Sequence, residues 1–329
     1  MKISDQSAHF SSSIDASGVS PGNHTEASNE SSVQALCEAI TRHDASTITK
    51  ILAQQNVALT QTDAHGQTPL HIAAFAGNSS AINELIQYHR DHFVENHFDN
   101  ETSQTMAFIA QMRQSKGLQA HDPVLIDAQD HRGFTALMLA TMRGNTAAVQ
   151  ALLTQQANVN ALLVSSWQFT FPPCSEASDS AEAERPLRPA SNDAKNRSVL
   201  MLAAEHGQAM AARLLIEAGA KIDPLLNQHR CTPLQLAAKN GHAAVVELLL
   251  QHGAGVDVAN SSSRTPLFLA VEAGHANVCR ALIANGANTR HINSDGISVR
   301  SAAEVVGNVE IINALPAERI DPRTRSAMR

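Results

Sequence analysis

Residues 231–242 read Cys231-Thr232-Pro233-Leu234-Gln235-Leu236-Ala237-Ala238-Lys239-Asn240-Gly241-His242, and this stretch decides the fold. Thr232 is placed to N-cap a helix, its hydroxyl accepting from a backbone N–H that has no helical partner. Pro233 follows at the first helical position, where no donor is needed. Leu234, Leu236, Ala237 and Ala238 make an apolar face whose small alanines let a neighbouring helix approach closely. Gly241 stops the helix in the left-handed conformation that glycine adopts cheaply. Downstream, Val245, Val246, Leu248, Leu249 and Leu250 predict a second helix, apolar toward both neighbours and ended by Gly253. The chain then turns outward to Asn260, whose side chain can brace a tight turn.

The same offsets recur along the chain. Helix-opening residues stand at Thr68, Thr135, Ser198, Thr232, Thr265 and Ser298. Five residues before them are Asp63, Asp130, Asp193, Asn227, Asn260 and Asn293, and five after are Ala73, Ala140, Ala203, Ala237, Ala270 and Ala303. Nine after is always Gly (Gly77, Gly144, Gly207, Gly241, Gly274, Gly307), and seventeen after is always Leu (Leu85, Leu152, Leu215, Leu249, Leu282, Leu315). The last four blocks start 34, 33 and 33 residues apart. A period of that size means supersecondary units stacked into a solenoid.

The pattern resembles the ankyrin repeat. It does so through Gln-Thr-Pro-Leu-His-Ile-Ala-Ala at 67–74, the 231–242 stretch, and Arg-Thr-Pro-Leu-Phe-Leu-Ala at 264–270. The resemblance covers roughly 63–160 and 193–315 and implies an all-α ankyrin-repeat solenoid of helix–turn–helix units, with two insertions between repeats. Its histidine survives only as His71; Met138, Met201, Gln235, Phe268 and Ser301 hold that slot elsewhere. Ala136 and Val199 replace Pro, and Arg300 replaces the core Leu of the last copy, as expected of a capping repeat with one face in water.

The organisation follows. Residues 1–32 are Ser-rich with almost nothing to bury, and are expected to be disordered. Residues 33–62 form a degenerate capping unit, with Ala35, Leu36 and Ile40 on one helical pattern and Ile48, Ile51 and Leu52 on another. Six repeats occupy 63–316, and 317–329 is a tail with Arg319, Arg323, Arg325 and Arg329. The first insertion, about 88–126, keeps helical spacing at Met106, Ile109 and Met112 and reads as a helical hairpin or a decayed repeat. The second, about 164–192, carries Pro172, Pro173, Pro186 and Pro189 and reads as an exposed loop. Loop closure cost grows only logarithmically with length, so such insertions cost roughly 1–2 kcal/mol if floppy.

Composition bounds the function. Aromatics make up 3% of the chain, consistent with a core of Ala, Leu and Val between close helices. The net charge of −7 argues against a nucleic-acid backbone as partner. No apolar run approaches the ~18–20 residues that span a bilayer, and the N-terminus shows no secretory h-region, so a cytoplasmic protein without membrane insertion is expected. The four cysteines lack metal or redox spacing, and Cys279 occupies a core slot held by Val246 in the preceding copy. Of 16 histidines, most have repeat-specific places: His242 and His275 follow the helix-ending Gly, and His65, His131 and His229 lie at hairpin tips.

One cluster, His89, Asp91, His92, Glu95, His97 and Asp99, puts His89 and His92 on one helical face; a solvated polar face explains it better than a metal. Cys174 lies in the Pro-flanked insertion with no base or oxyanion site to make it a nucleophile. No phosphate-binding Gly run occurs. The expectation is no catalytic residue, no metal and no cofactor.

In ankyrin-like proteins, partner contacts come from positions beside the Asp or Asn and just before the helix-ending Gly, on a concave face. The resemblance therefore implies a surface at Ala64, His65, Gln67 and Phe75; at His131, Arg132, Phe134, Met142 and Arg143; and at Ala194, Lys195, Arg197, Glu205 and His206. It continues at Gln228, His229, Cys231, Lys239 and Asn240, and at Ser261, Ser262, Arg264 and Glu272. Arg132, Arg143, Lys195 and Arg197, with Phe134 and Met142, make a basic, partly apolar stretch suited to an acidic partner segment. Reversing Arg132, Arg143 and Arg197 to Glu is expected to leave folding intact.

Trp167, Phe169 and Phe171 share one face of an extended segment, which either packs on the solenoid beside Leu162 and Leu163, the favoured reading, or waits as a partner-binding cluster. The leading expectation is a non-catalytic scaffold or adaptor for another protein. The alternatives are an exported bacterial effector, acting in a host cytoplasm through the same repeats, and an enzyme with a site in the insertions.

Overall fold

The computed structural model describes residues 24–53, 57, 59–96, 123–163, 197–224 and 231–316. A leading pair, α1 (His24–Thr41) and α2 (Ala45–Ala53), is followed by repeat one, α3 (Pro69–Ala76) and α4 (Ser79–Asn96). A short α5 (Pro123–Ile126) leads into repeat two, α6 (Ala136–Arg143) and α7 (Thr146–Thr154). Repeat three is α8 (Val199–Glu205) and α9 (Ala209–Glu217), and repeat four is α10 (Pro233–Lys239) and α11 (Ala243–Gln251). Repeat five is α12 (Pro266–Glu272) and α13 (Ala276–Ala284), and repeat six is α14 (Val299–Val306) and α15 (Val309–Ala314).

The bonds that the offsets predict recur along the stack, although in repeat one the Thr68 hydroxyl meets His71 Nδ1 at 2.8 Å in place of a backbone N–H. Hydroxyls of Thr135, Ser198, Thr232, Thr265 and Ser298 accept from the backbone N–H three residues on, at 3.1–3.3 Å. Gly241 closes α10 at φ 78°, and a Cβ there would lie 2.7 Å from the His275 ring of the next repeat. Asn260 Oδ1 accepts from the N–H groups of Ser262 and Arg264 at 3.0 and 2.9 Å, pinning the turn; Asp63, Asp130 and Asn293 do the same in their repeats.

First helices stack on first helices and second on second, giving a two-layer all-α solenoid with one continuous core. The leading pair joins it as a repeat would, α1 against α3 and α2 against α4. The stack runs unbroken across both insertions: α3 meets α6, and α6 meets α8. At the second insertion the reason is visible. Two short strands, β1 (Leu162–Leu163) and β2 (Arg197–Ser198), pair antiparallel with Leu162 opposite Ser198, so the chain leaves and re-enters at one place. At the first, α4 runs on to Asn96, and α5 returns with Leu125 and Ile126 buried.

One expectation needs adjusting. The leading helix begins at His24, inside the stretch read as disordered, because extending a helix already nucleated by its packed end costs little even without apolar residues. Met106, Ile109 and Met112, and the whole of the second insertion, lie outside the described residues.

A further ladder ties repeat to repeat. The residue after each helix-ending Gly always carries a side-chain N–H, and it donates to a carbonyl near the end of the preceding first helix. Asn78 donates to Ile40, Asn145 to Ala74 and Phe75, Gln208 to Met142, His242 to Glu205, His275 to Lys239 and Asn308 to Gly274, at 2.9–3.4 Å. These bonds reach carbonyls at or just past the helix ends, where the regular helical donors run out.

His71 and Gln235, both in the fourth place of Thr-Pro-Leu-x, perform one task with different chemistry. The Thr68 N–H donates to His71 Nδ1 at 3.2 Å while His71 Nε2 donates to the Phe134 carbonyl of the next repeat at 3.0 Å. Gln235 Oε1 accepts from the Thr232 N–H at 2.9 Å, and its Nε2 donates to the Arg264 carbonyl at 3.1 Å. Burial holds the His71 pKa below its ordinary 6.5, against the Phe134 carbonyl, Asp130 and Asp63, which pull upward. The unfolded chain therefore takes up this proton first. The stability that neutral His71 contributes is fully present above about pH 6.5 and is lost as pH falls toward the folded-state value. His71→Gln keeps both bonds without a titrating group, so urea melts at about pH 7 and about pH 5 should differ less for the variant than for the wild type. Equal differences would show that His71 does not carry the pH dependence.

Candidate interaction surface

Hairpin tips and first helices together form one face, called the inner face below. Neighbouring tips are bonded to each other: the His131 N–H donates to the His65 carbonyl at 3.0 Å, and the Ser294 N–H to the Ser262 carbonyl at 3.2 Å. That spacing sets side chains from successive repeats side by side.

Near its N-terminal end, the face carries an apolar and cationic group. Phe75, the last residue but one of α3, is 45% exposed, and the Arg143 guanidinium sits 4.2 Å from its ring centroid. Met142 is half-buried beside them. Among the described residues no carboxylate is paired with Arg143. His65 and His131 are exposed at the tips, and Gln67 is half-buried with its N–H held by Asp63 at 2.8 Å.

The two other arginines of the expected basic stretch are not free. Arg132 folds back on its own hairpin, donating from Nε and Nη2 to Asp130 Oδ2 at 3.1 Å each. Phe134 is buried and belongs to the core, with the Arg132 guanidinium 5.3 Å from its ring centroid. Arg197 is buried too, in an ion pair with Glu205, and its backbone is in β2. The expectation that all three arginines reverse harmlessly is therefore corrected: the slot before the helix cap can turn inward as easily as outward, and at Arg197 the carboxylate of Glu205 draws it in.

Next along, His206 is exposed on this face, yet burial of the ring depresses its pKa, with Glu205 opposing and Arg197 and His242 adding to the fall. Lys239 is half-buried. Arg264 reaches Glu272 at 3.5 Å and Asp295 at 3.8 Å, and lies 6.0 Å from the Phe268 ring centroid. Lys195, His229, Trp167, Phe169 and Phe171 fall outside the described residues, as does Cys174.

Carried one repeat further, the same offsets reach residues that the sequence reading passed over. Ile297, Val305 and Val306 in repeat six are all exposed large apolar side chains. Extending the offset list to the last copy was signal enough to find them.

No group of three or more His, Cys, Asp or Glu side chains able to hold a metal occurs among the described residues, and no described helix is long and apolar enough to cross a membrane. In the His89 cluster, Asp91 accepts from Gln87 Nε2 at 2.9 and 3.1 Å; the side chains of His92 and beyond are not among those described. Burial pushes the thiols of Cys37 and Cys279 up to about 12, which leaves negligible thiolate near neutrality.

A family model described as ankyrin repeats in three copies matches residues 180–260 and 200–295, and a single ankyrin repeat model matches 65–97 and 132–162. The chain is an ankyrin-repeat protein. Its fold is similar to that of the human ASB11 ankyrin repeat domain, with a TM-score of 0.58 and 20% identity over 86% of this chain and 99% of that one. It is also similar to the ankyrin repeat domain of Bcl-3, a member of the IkappaB family, at 0.55 and 21% over 85% and 97%. Ankyrin repeats generally mediate protein–protein interaction.

Proposed function

We propose that this ankyrin-repeat protein is a non-catalytic scaffold that holds a segment of another protein on its inner face, anchored at Phe75, Met142 and Arg143. One observation carries the reading: Phe75 stands 45% exposed beneath a guanidinium that has no paired carboxylate among the described residues. The equivalent slots in repeats three to five hold Glu205, Lys239 and Glu272, so an aromatic here is not a requirement of the fold. Covering Phe75 with an apolar side chain is worth up to about 1.5–3 kcal/mol, and a carboxylate reaching Arg143 would gain a charge-assisted bond. An acidic segment with one apolar anchor satisfies both.

The test compares the wild type with Phe75→Ala and Arg143→Glu. Both side chains are exposed, so thermal melts should coincide. Proximity labelling in cells identifies proteins enriched by the wild type and lost from both variants. With such a protein purified, Arg143→Glu should slow association at low salt, and Phe75→Ala should speed release by about tenfold or more. A partner that binds both variants with unchanged rates would place the contact elsewhere.

A further inference from the structure

The C-terminal end of the same face differs from the rest. In repeat five the slots that meet the next repeat hold Leu267, Phe268 and Val271, each fully buried. Repeat six has Arg300, Ser301 and Glu304 there, with Arg300 Nε donating to Glu304 Oε1 at 3.2 Å, so its stacking surface is polar and closed to a further repeat. The inner-face slots of repeat six run the other way. Ile297 is 42% exposed, Val305 88% and Val306 41%, where repeat five has Arg264, Glu272 and Ala273. A cap made polar where it ends the stack has no need of three aliphatic residues at its inner rim.

The charge beside this rim is uneven. Arg264 is shared by two carboxylates, Glu272 at 3.5 Å and Asp295 at 3.8 Å. Glu272 also feels Lys239, whereas Asp295 has only the longer of the two arginine contacts and a neutral bond, its Oδ2 accepting from Asn293 Nδ2 at 3.2 Å, with a side chain 58% exposed. Asp295 and Ile297 are set next to each other because Asn293 Oδ1 accepts from both their N–H groups, at 3.0 and 2.9 Å. A partly neutralised carboxylate thus borders an aliphatic patch.

We infer that this rim is a second docking site, taking a segment of another protein in which a Lys or Arg lies beside a large aliphatic or aromatic residue. The cation pairs with Asp295, and its apolar neighbour covers Ile297, Val305 and Val306. The inference rests on the reading of the inner face as a protein-binding surface, but its residues and its charge preference are opposite to those of the Phe75–Arg143 end. A partner spanning both ends would carry acidic residues at one and basic residues at the other.

The experiment pans a displayed library of random short peptides on the full-length chain, then on three variants. Recovered peptides should pair Lys or Arg with Leu, Ile or Phe. They should bind Arg143→Glu as well as the wild type, and lose about tenfold on Asp295→Asn and on Ile297→Ser with Val305→Ser. These positions are exposed, and circular dichroism melts confirm that the variants fold. Basic-aliphatic peptides that bind the rim variants undiminished would overturn the inference. So would recovery only of peptides that depend on Phe75 and Arg143, an outcome that leaves the scaffold reading standing. Recovery of nothing would count against both. A wild-type dimer that Val305→Ser turns into monomer would make the rim a self-interface. Peptides captured by the chain cut after Pro316 but not by the full chain would make residues 317–329 the occupant. Either result also overturns a foreign partner.

Discussion

Leu249→Ala should lower the unfolding free energy by about 2–5 kcal/mol. Leu249 is fully buried in α11, which packs against α9 on one side and α13 on the other. Removing its methyl groups leaves a cavity between three stacked second helices, each held by the rest of its repeat, so collapse can be only partial. Because a solenoid couples each repeat to its neighbours alone, the damage should be graded along the chain. Hydrogen exchange should show protection falling first in α9 to α13 and last in α1 to α4. Equal loss over the whole chain would contradict nearest-neighbour coupling.

Arg197→Glu should be nearly as severe, approaching the ~3–5 kcal/mol of breaking a buried ion pair. Arg197 and Glu205 are paired with side chains 11% and 21% exposed, and the change would set two carboxylates against each other with little water between them. The backbone of Arg197 also closes the base of the second insertion opposite Leu163, so the loss would fall on the seam between repeats two and three. Exchanging the pair, Arg197→Glu with Glu205→Arg, should recover much of the loss in urea melts. A single variant that melts with the wild type would show that the pair adds nothing. Arg143→Glu is the contrast: the same reversal at an exposed position should leave the melt unchanged.

These contrasts show how far the chain could be read without coordinates. Thr232, Gly241, Asn260 and Leu249 each do in space what their offsets predict, because capping, helix ending, turn bracing and stacking are decided within a repeat or by its copies. His242 and His275, read as lying just past a helix end, bridge to the preceding repeat. Their role was present as a column of Asn, Gln and His after every helix-ending Gly, a pattern that only becomes meaningful once a carbonyl is seen opposite each one.

The candidate surface was legible as a set of slots and not as a set of exposed groups. Phe75 and Arg143 fill their slots outward. Arg132, Phe134 and Arg197, in the slots just before the helix cap, do not: Phe134 packs into the core, and Arg132 and Arg197 pair with Asp130 and Glu205, whose carboxylates stand within reach. The sequence by itself determined the repeat, its all-α stack and the helix caps, since these rest on contacts that recur at fixed spacing. Only the tertiary structure decided which arginines remain uncommitted, and that Ile297, Val305 and Val306 stand exposed near a carboxylate that shares Arg264. Those facts depend on distances between particular side chains, within a repeat as at Arg197 and Glu205 or between repeats as at Phe75 and Arg143, and no periodicity encodes them.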